Sequence, residues 1–308
     1  MSKGPRCPRA LAVALGVTCV FFSSAVAQVD TRGSSASSYR RSIESWRAEH
    51  EARLKADDGW LTLAGLYWLR NGVNQVGGAP TADVELPPGS APGRVGTIVF
   101  ADQVARFSPE PGVDVRINGA PARPQILRPQ PGDHDVVSVQ SVTFFVIKRG
   151  AQYGVRVRDL ASPSRRTFAG LRWFPVREQY RVTAKFIPHP APTSIMIANV
   201  LGAVEPWPSP GKAVFTLAGR ELTLHAVLDG PGAKELFFIF RDGTTGSDTY
   251  PGGRFLYAPM PTNGVVVLDF NKAESPPCAF TAFATCPLPP KENSLPVRIE
   301  AGELSPHR

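Results

Sequence analysis

VTFFVIKRGAQYGVRVRD (Val142–Asp159) reads as two strands folded about the Arg149-Gly150 turn. The first arm is apolar. The second alternates valine with arginine, as on a sheet with one wet face. Working outward, the same grammar recurs upstream in VNQV after Asn71-Gly72, in RVGTIVF leading through Asp102 to VARF, and in VDVRI before Asn118-Gly119. Asn-Gly and similar pairs supply the positive φ that tight hairpins need. Downstream come YRVTAKFI, SIMIANVL, AVFTL joined by Ala218-Gly219 to RELTLHAVL, then RFLYA and LPVRIEA. ELFFIF (235–240) and VVVLDF (265–270) are continuous apolar runs, as for central strands covered on both faces. Short strand runs without intervening helices predict a mainly β protein of antiparallel sandwich or barrel-like sheets.

One amphipathic helix is expected, over Tyr39–Ala56. Ser38 can cap it, Ile43, Trp46, His50 and Leu54 recur on one face, and Asp57-Asp58-Gly59 ends it. Residues 28–38 read as a flexible polar lead-in. Residues 39–158 would hold the helix and the first hairpins, and residues 159–308 a C-terminal β region, with a soft boundary at DLASPSRR (159–166). The Pro-rich stretches at 121–132, 206–210 and 287–290 read as looser connections.

Residues 1–27 have the three parts of a secretory signal peptide: Lys3, Arg6 and Arg9, then an apolar run from Leu11, then Ala25-Val26-Ala27 as a small-x-small cleavage site. Export to the periplasm or the medium is therefore expected, with no transmembrane segment in the mature chain. The formal charge is +8, of which +3 lies in residues 1–27. The remaining basic residues are scattered, which argues against nucleic acid as a partner. An envelope polymer or a small anionic molecule is compatible with that field. Removal of the leader leaves Cys278 and Cys286, whose spacing and oxidising destination predict a disulfide.

Familiar catalytic signatures are absent. No serine sits in G-x-S-x-G, His50-Glu51-Ala52-Arg53-Leu54 fails HExxH at its last position, and there is neither a P-loop nor a Rossmann glycine run. No cofactor is expected. Asp133-His134-Asp135 reads as a solvated loop rather than a metal site. The richest polar cluster is RDGTTGSDTYPGGR (241–254) followed by Asp269-Phe270-Asn271. Arg241 and Arg254 could fork onto a carboxylate or phosphate, with Asp242 or Asp269 orienting them and Tyr250 as a wall. The alternative is that these groups pair with one another to hold a loop. Three readings stay open: a binding module for a small anionic or carbohydrate ligand, a structural or interaction protein, and a hydrolase using Asp242 and Asp269 as acid and base.

Residues 46–66 (WRAEHEARLKADDGWLTLAGL), GLRWFPV (170–176), FRDGTTGSDTYPGGRFL (240–256) and LDFN…PPCAF…CPLPP (268–290) resemble the bacterial domain of unknown function 1684 family. The resemblance spans nearly the whole mature chain and implies no reaction. It directs attention to Arg241, Asp242, Thr249, Tyr250, Arg254, Asp269 and Asn271, which match the motif positions. The chain departs from the pattern at Glu274-Ser275, where the family carries an aromatic-Asn pair.

Overall fold

The computed structural model describes residues 1, 4 and 31–306. The apolar run of the expected leader, and the lead-in as far as residue 30, lie outside the described residues. Helix α1 (Thr31–Lys55) begins earlier than Tyr39, inside the stretch read as a flexible lead-in. Its buried side chains are Ile43, His50 and Leu54, with Tyr39 and Trp46 half-buried on the same face. That is the expected stripe. No helix among the described residues is long and apolar enough to cross a membrane.

After α1 come β1 (Leu63–Trp68), β2 (Gly72–Gly77), β3 (Val84–Glu85), β4 (Gly96–Ala101), β5 (Val104–Pro109), β6 (Arg116–Ile117), β7 (Ala120–Pro121), β8 (Gln125–Ile126), β9 (Val137–Val139), β10 (Val142–Arg149) and β11 (Gln152–Asp159). They form a six-stranded sheet, β1-β11-β10-β9-β6-β7, facing a five-stranded one, β3-β2-β4-β5-β8. The pairs are antiparallel except β2–β3. Val76, Ile98 and Phe107 of the smaller sheet meet Phe144, Val146, Val155 and Val157 of the larger in one apolar core. The Asn118-Gly119 turn has positive φ at both residues, as its sequence predicts.

A short helix α2 (Pro163–Arg166) precedes the second set: β12 (Arg181–Ala198), β13 (Val204–Leu217), β14 (Arg220–Ala226), β15 (Glu235–Phe240), β16 (Arg254–Pro259) and β17 (Val265–Asp269). The sheet β14-β13-β12-β17 packs on the β15-β16 ribbon. Phe215, Leu224, Phe238, Leu256, Leu268 and Ile299 fill the space between. The sheets are sandwich-like and none closes into a barrel.

ELFFIF is covered on both faces as expected. Leu236, Phe238 and Phe240 enter that core, while Phe237 and Ile239 enter another with Ile197, Phe255 and Cys286. VVVLDF differs: β17 is a sheet edge, Val266 and Leu268 are buried, and Val265 is 42% exposed. Continuous hydrophobicity does not distinguish an edge strand from a central one. The 206–210 stretch also differs, because it lies within β13 rather than in a loose connection. Pro206 and Pro208 sit where β13 pairs with β12 but has not yet met β14, whose pairing starts at Gly211, and Pro210 falls at the register shift between β12 and β13. Missing N–H groups are tolerated on that open side.

YGVRVRD corrects the expectation of a wet face. Val155 and Val157 enter the core, but the opposite face of β11 is covered by the second sandwich, and Arg156 is only 3% exposed.

Candidate functional site

The polar cluster between Arg241 and Asn271 does not gather at one rim. Asp242 and Arg254 form an ion pair at 3.2 Å with both side chains fully buried. The Asp242 carboxylate also accepts from the Ile299 N–H (2.6 Å) and the Thr244 hydroxyl (2.8 Å). Arg254 donates to the carbonyls of Ala301 and Ile299. The Thr249 and Thr244 hydroxyls share a hydrogen bond of 3.1 Å. Gly253, at φ +91°, turns the chain immediately before Arg254, where a Cβ would collide with the Phe240 carbonyl. The result is a dry arch clamping residues 299–301. Tyr250 donates to the Cys278 carbonyl at 3.0 Å, and Arg241 is exposed, its backbone paired with Asn293 and Leu295.

Asp269 and Asn271 belong to a separate node. Asp269 accepts from the Tyr39 hydroxyl of α1 at 2.8 Å, and Asn271 donates to Tyr39 and to the Arg177 carbonyl. Asp242 presents no oxygen to solvent, so the arrangement gives no acid–base pair with Asp269. Ser247 donates to Thr244 O and Asp248, with no histidine partner. Asp133 and Asp135 both pair with Arg128, and the described residues contain no cluster able to hold a metal ion.

Sequence reasoning missed a second charged node. His50 of α1 sits between Glu274 (Nδ1 to Oε2, 3.1 Å) and the fully buried Glu303 (Nε2 to Oε2, 3.5 Å). Trp46 stacks on its ring at 5.3 Å and Trp173 meets it edge-on. Burial pulls the imidazole pKa down, but pairing with the two glutamates outweighs it and raises the pKa to about 9.

Between the two sandwiches lies a cleft of about 690 Å³. The turn Lys148–Gly150 and Arg156 form one wall, and Trp207, Phe237 and Tyr257 the other. Trp60 lies under the Arg156 guanidinium, 5.8 Å from its carbon. Arg156 has no hydrogen bond or ion pair among the described residues, and its buried Nε has no partner. Burial lowers its pKa to about 10, helped by the guanidiniums of Arg149 and Arg158. No carboxylate offsets it. Volume and aromatic walls match ordinary small-molecule sites.

Cys286 lines this cleft and Cys278 packs beside it. Both are free thiols, so the expected disulfide is not formed. Instead the Cys286 sulfur accepts from the Cys278 backbone N–H at 3.1 Å. A hydrogen bond from the Cys286 thiol, against the effect of burial, lowers the Cys278 pKa to about 7, and the same pairing with burial pushes Cys286 up. Iodoacetamide at pH 7.5 is expected to label Cys278 well before Cys286. Mass spectrometry of the alkylated peptides checks the order, and equal labelling would contradict it.

No curated protein matches the chain. The uncharacterized protein from gene locus rrnAC0354 of Haloarcula marismortui, solved in solution, is 33% identical, with a TM-score of 0.41 over 47% of this chain and 82% of that one. The FHA domain of FhaA, solved with the intracellular domain of Rv3910, is 21% identical, with a TM-score of 0.22 over 30% of this chain and 97% of that one. The family model described as protein of unknown function (DUF1684) matches residues 166–304, the segment that holds the arch, both thiols and the aromatic wall of the cleft. Through that segment the chain belongs to the DUF1684 family.

Proposed function

We propose that the protein binds a small anionic molecule in the cleft between its sandwiches, with the acid group seated on Arg156. The carrying observation is the buried guanidinium without a counter-charge. An unpaired buried charge costs several kcal/mol, and departures of this kind from a self-consistent interior concentrate at functional sites. A carboxylate or phosphate entering beside Trp60 would satisfy the fork geometry of the guanidinium. The reading moves the ligand site away from Arg241 and Arg254, whose neighbourhood is protein-filled. It retains the expectation, from residues 1–27, of export, so the ligand would be met in the cell envelope or outside it.

Arg156→Met separates stability from binding. Removing an uncompensated buried charge for an apolar side chain of similar length is expected to stabilise the unliganded fold by about 1–4 kcal/mol. The same change should abolish any rise in melting temperature that carboxylates or phosphates give the parent protein. A destabilised Arg156→Met, or one that keeps its ligand response, refutes the assignment.

A further inference from the structure

Resting on that reading, we infer that the ligand is a monoanionic sugar acid, its carboxylate on Arg156, its ring against the aromatic wall and its hydroxyls on Asp229 and Glu205.

The charge count comes first. Lys148, Arg149 and Arg156 line the cleft, and so do Glu205, Asp229 and Glu274. Glu274 is engaged with His50. Arg149 feels the Glu205 carboxylate and donates to Thr285 at 3.3 Å. The Lys148 ammonium stands over the Tyr153 ring, 5.2 Å from its centroid. Arg156 is the buried one of the three cations, and it has neither a carboxylate nor a hydrogen bond among the described residues. One negative charge is therefore welcome, and a second would meet Glu205 and Asp229. Polyphosphorylated ligands are disfavoured on that ground.

The shape of the wall comes second. Phe237 and Tyr257 stack with centroids 4.6 Å apart and planes inclined by 11°, and Trp207 continues the surface at 6.1 Å from Phe237. Tyr257 is 36% exposed and Trp207 half-buried, so the wall offers ring area to a ligand. The C–H face of a pyranose is apolar and flat enough to lie on such rings, as is an aromatic acid.

The acceptors distinguish the two. Burial raises the Asp229 pKa, and its carboxylate accepts from the Tyr257 hydroxyl at 3.2 Å. Asp229 and Glu205 are hydrogen-bond acceptors at the cleft wall, the groups that ring hydroxyls need. A flat acid without hydroxyls would bury their remaining lone pairs without a donor, which costs affinity.

The test is calorimetric titration of the full chain with three probes: D-glucuronate, D-glucose and cyclohexanecarboxylate. Glucuronate is expected to bind about tenfold or more tighter than either of the others, as one or two added charge-assisted contacts provide. Tyr257→Ala should weaken glucuronate by about tenfold, and Arg156→Met should remove detectable binding. Circular dichroism of each variant separates lost binding from lost folding. If cyclohexanecarboxylate binds as tightly as glucuronate and Arg156→Met abolishes both, the sugar inference fails while the anion site stands. If glucose binds as tightly as glucuronate and Arg156→Met has no effect, the anion site itself falls. Absence of binding by all three at millimolar concentration overturns the sugar inference. A Tyr257→Ala protein that is folded and binds glucuronate like the parent does so too.

Discussion

Asp242→Ala is expected to cost about 3–5 kcal/mol of folding stability, the range for breaking a buried ion pair by removing one partner. The substitution strands the Arg254 guanidinium, whose side chain is fully buried, with carbonyl acceptors and, as counter-charge, only the Glu303 carboxylate, to which it is not hydrogen-bonded. It also orphans the Ile299 N–H and takes from the Thr244 hydroxyl one of its partners, leaving it Thr249. Removing both charges together, in Asp242→Ala/Arg254→Met, should destabilise by less than the sum of the two single changes, because neither charge is then left alone. Urea denaturation of the four proteins closes the cycle. Additive losses would mean that the two side chains are not coupled, contrary to the arch.

The second large effect is a pH dependence. The imidazole of His50 titrates at about 9 in the folded protein against about 6.5 unfolded. A value raised on folding contributes stability that is complete below pH about 6.5 and is lost as pH climbs through about 9, on the order of 3 kcal/mol in all. The protein should therefore be measurably less stable at pH 9.5 than at pH 6.5. Other groups titrate in that interval, Cys278 among them. His50→Gln isolates the contribution: parent and variant should differ most at pH 6.5 and converge by pH 9.5. A constant difference would mean that the two glutamates do not hold an imidazolium.

Much of the fold was legible in local patterns because hairpin chemistry is local. Asn118-Gly119 and Ala218-Gly219 announce their turns, and the left-handed φ values are found there. Period-2 alternation located the inward valines of β11. The outward residues of the same strand were misread for an equally physical reason. An arginine opposite a core valine looks solvated, and only the tertiary approach of the second sandwich, which carries Trp207 and Phe237, makes Arg156 buried. The candidate site suffered likewise. Residues 241–254 are polar and Gly-rich whether they line a mouth or knit an arch. The deciding partners, Ile299 and Ala301, are remote in sequence. His50, Glu274 and Glu303 lie on three separate segments, so no spacing rule joins them.

The arch also joins two folding events. Arg254 finds its carbonyl acceptors only on residues 299 and 301, and His50 finds one of its two carboxylates only on residue 303. Until residues 299–303 arrive, the interior of the second sandwich holds the Asp242–Arg254 pair with the guanidinium's carbonyl acceptors missing. The second sandwich therefore seals only when that stretch docks, so docking and closure are one event.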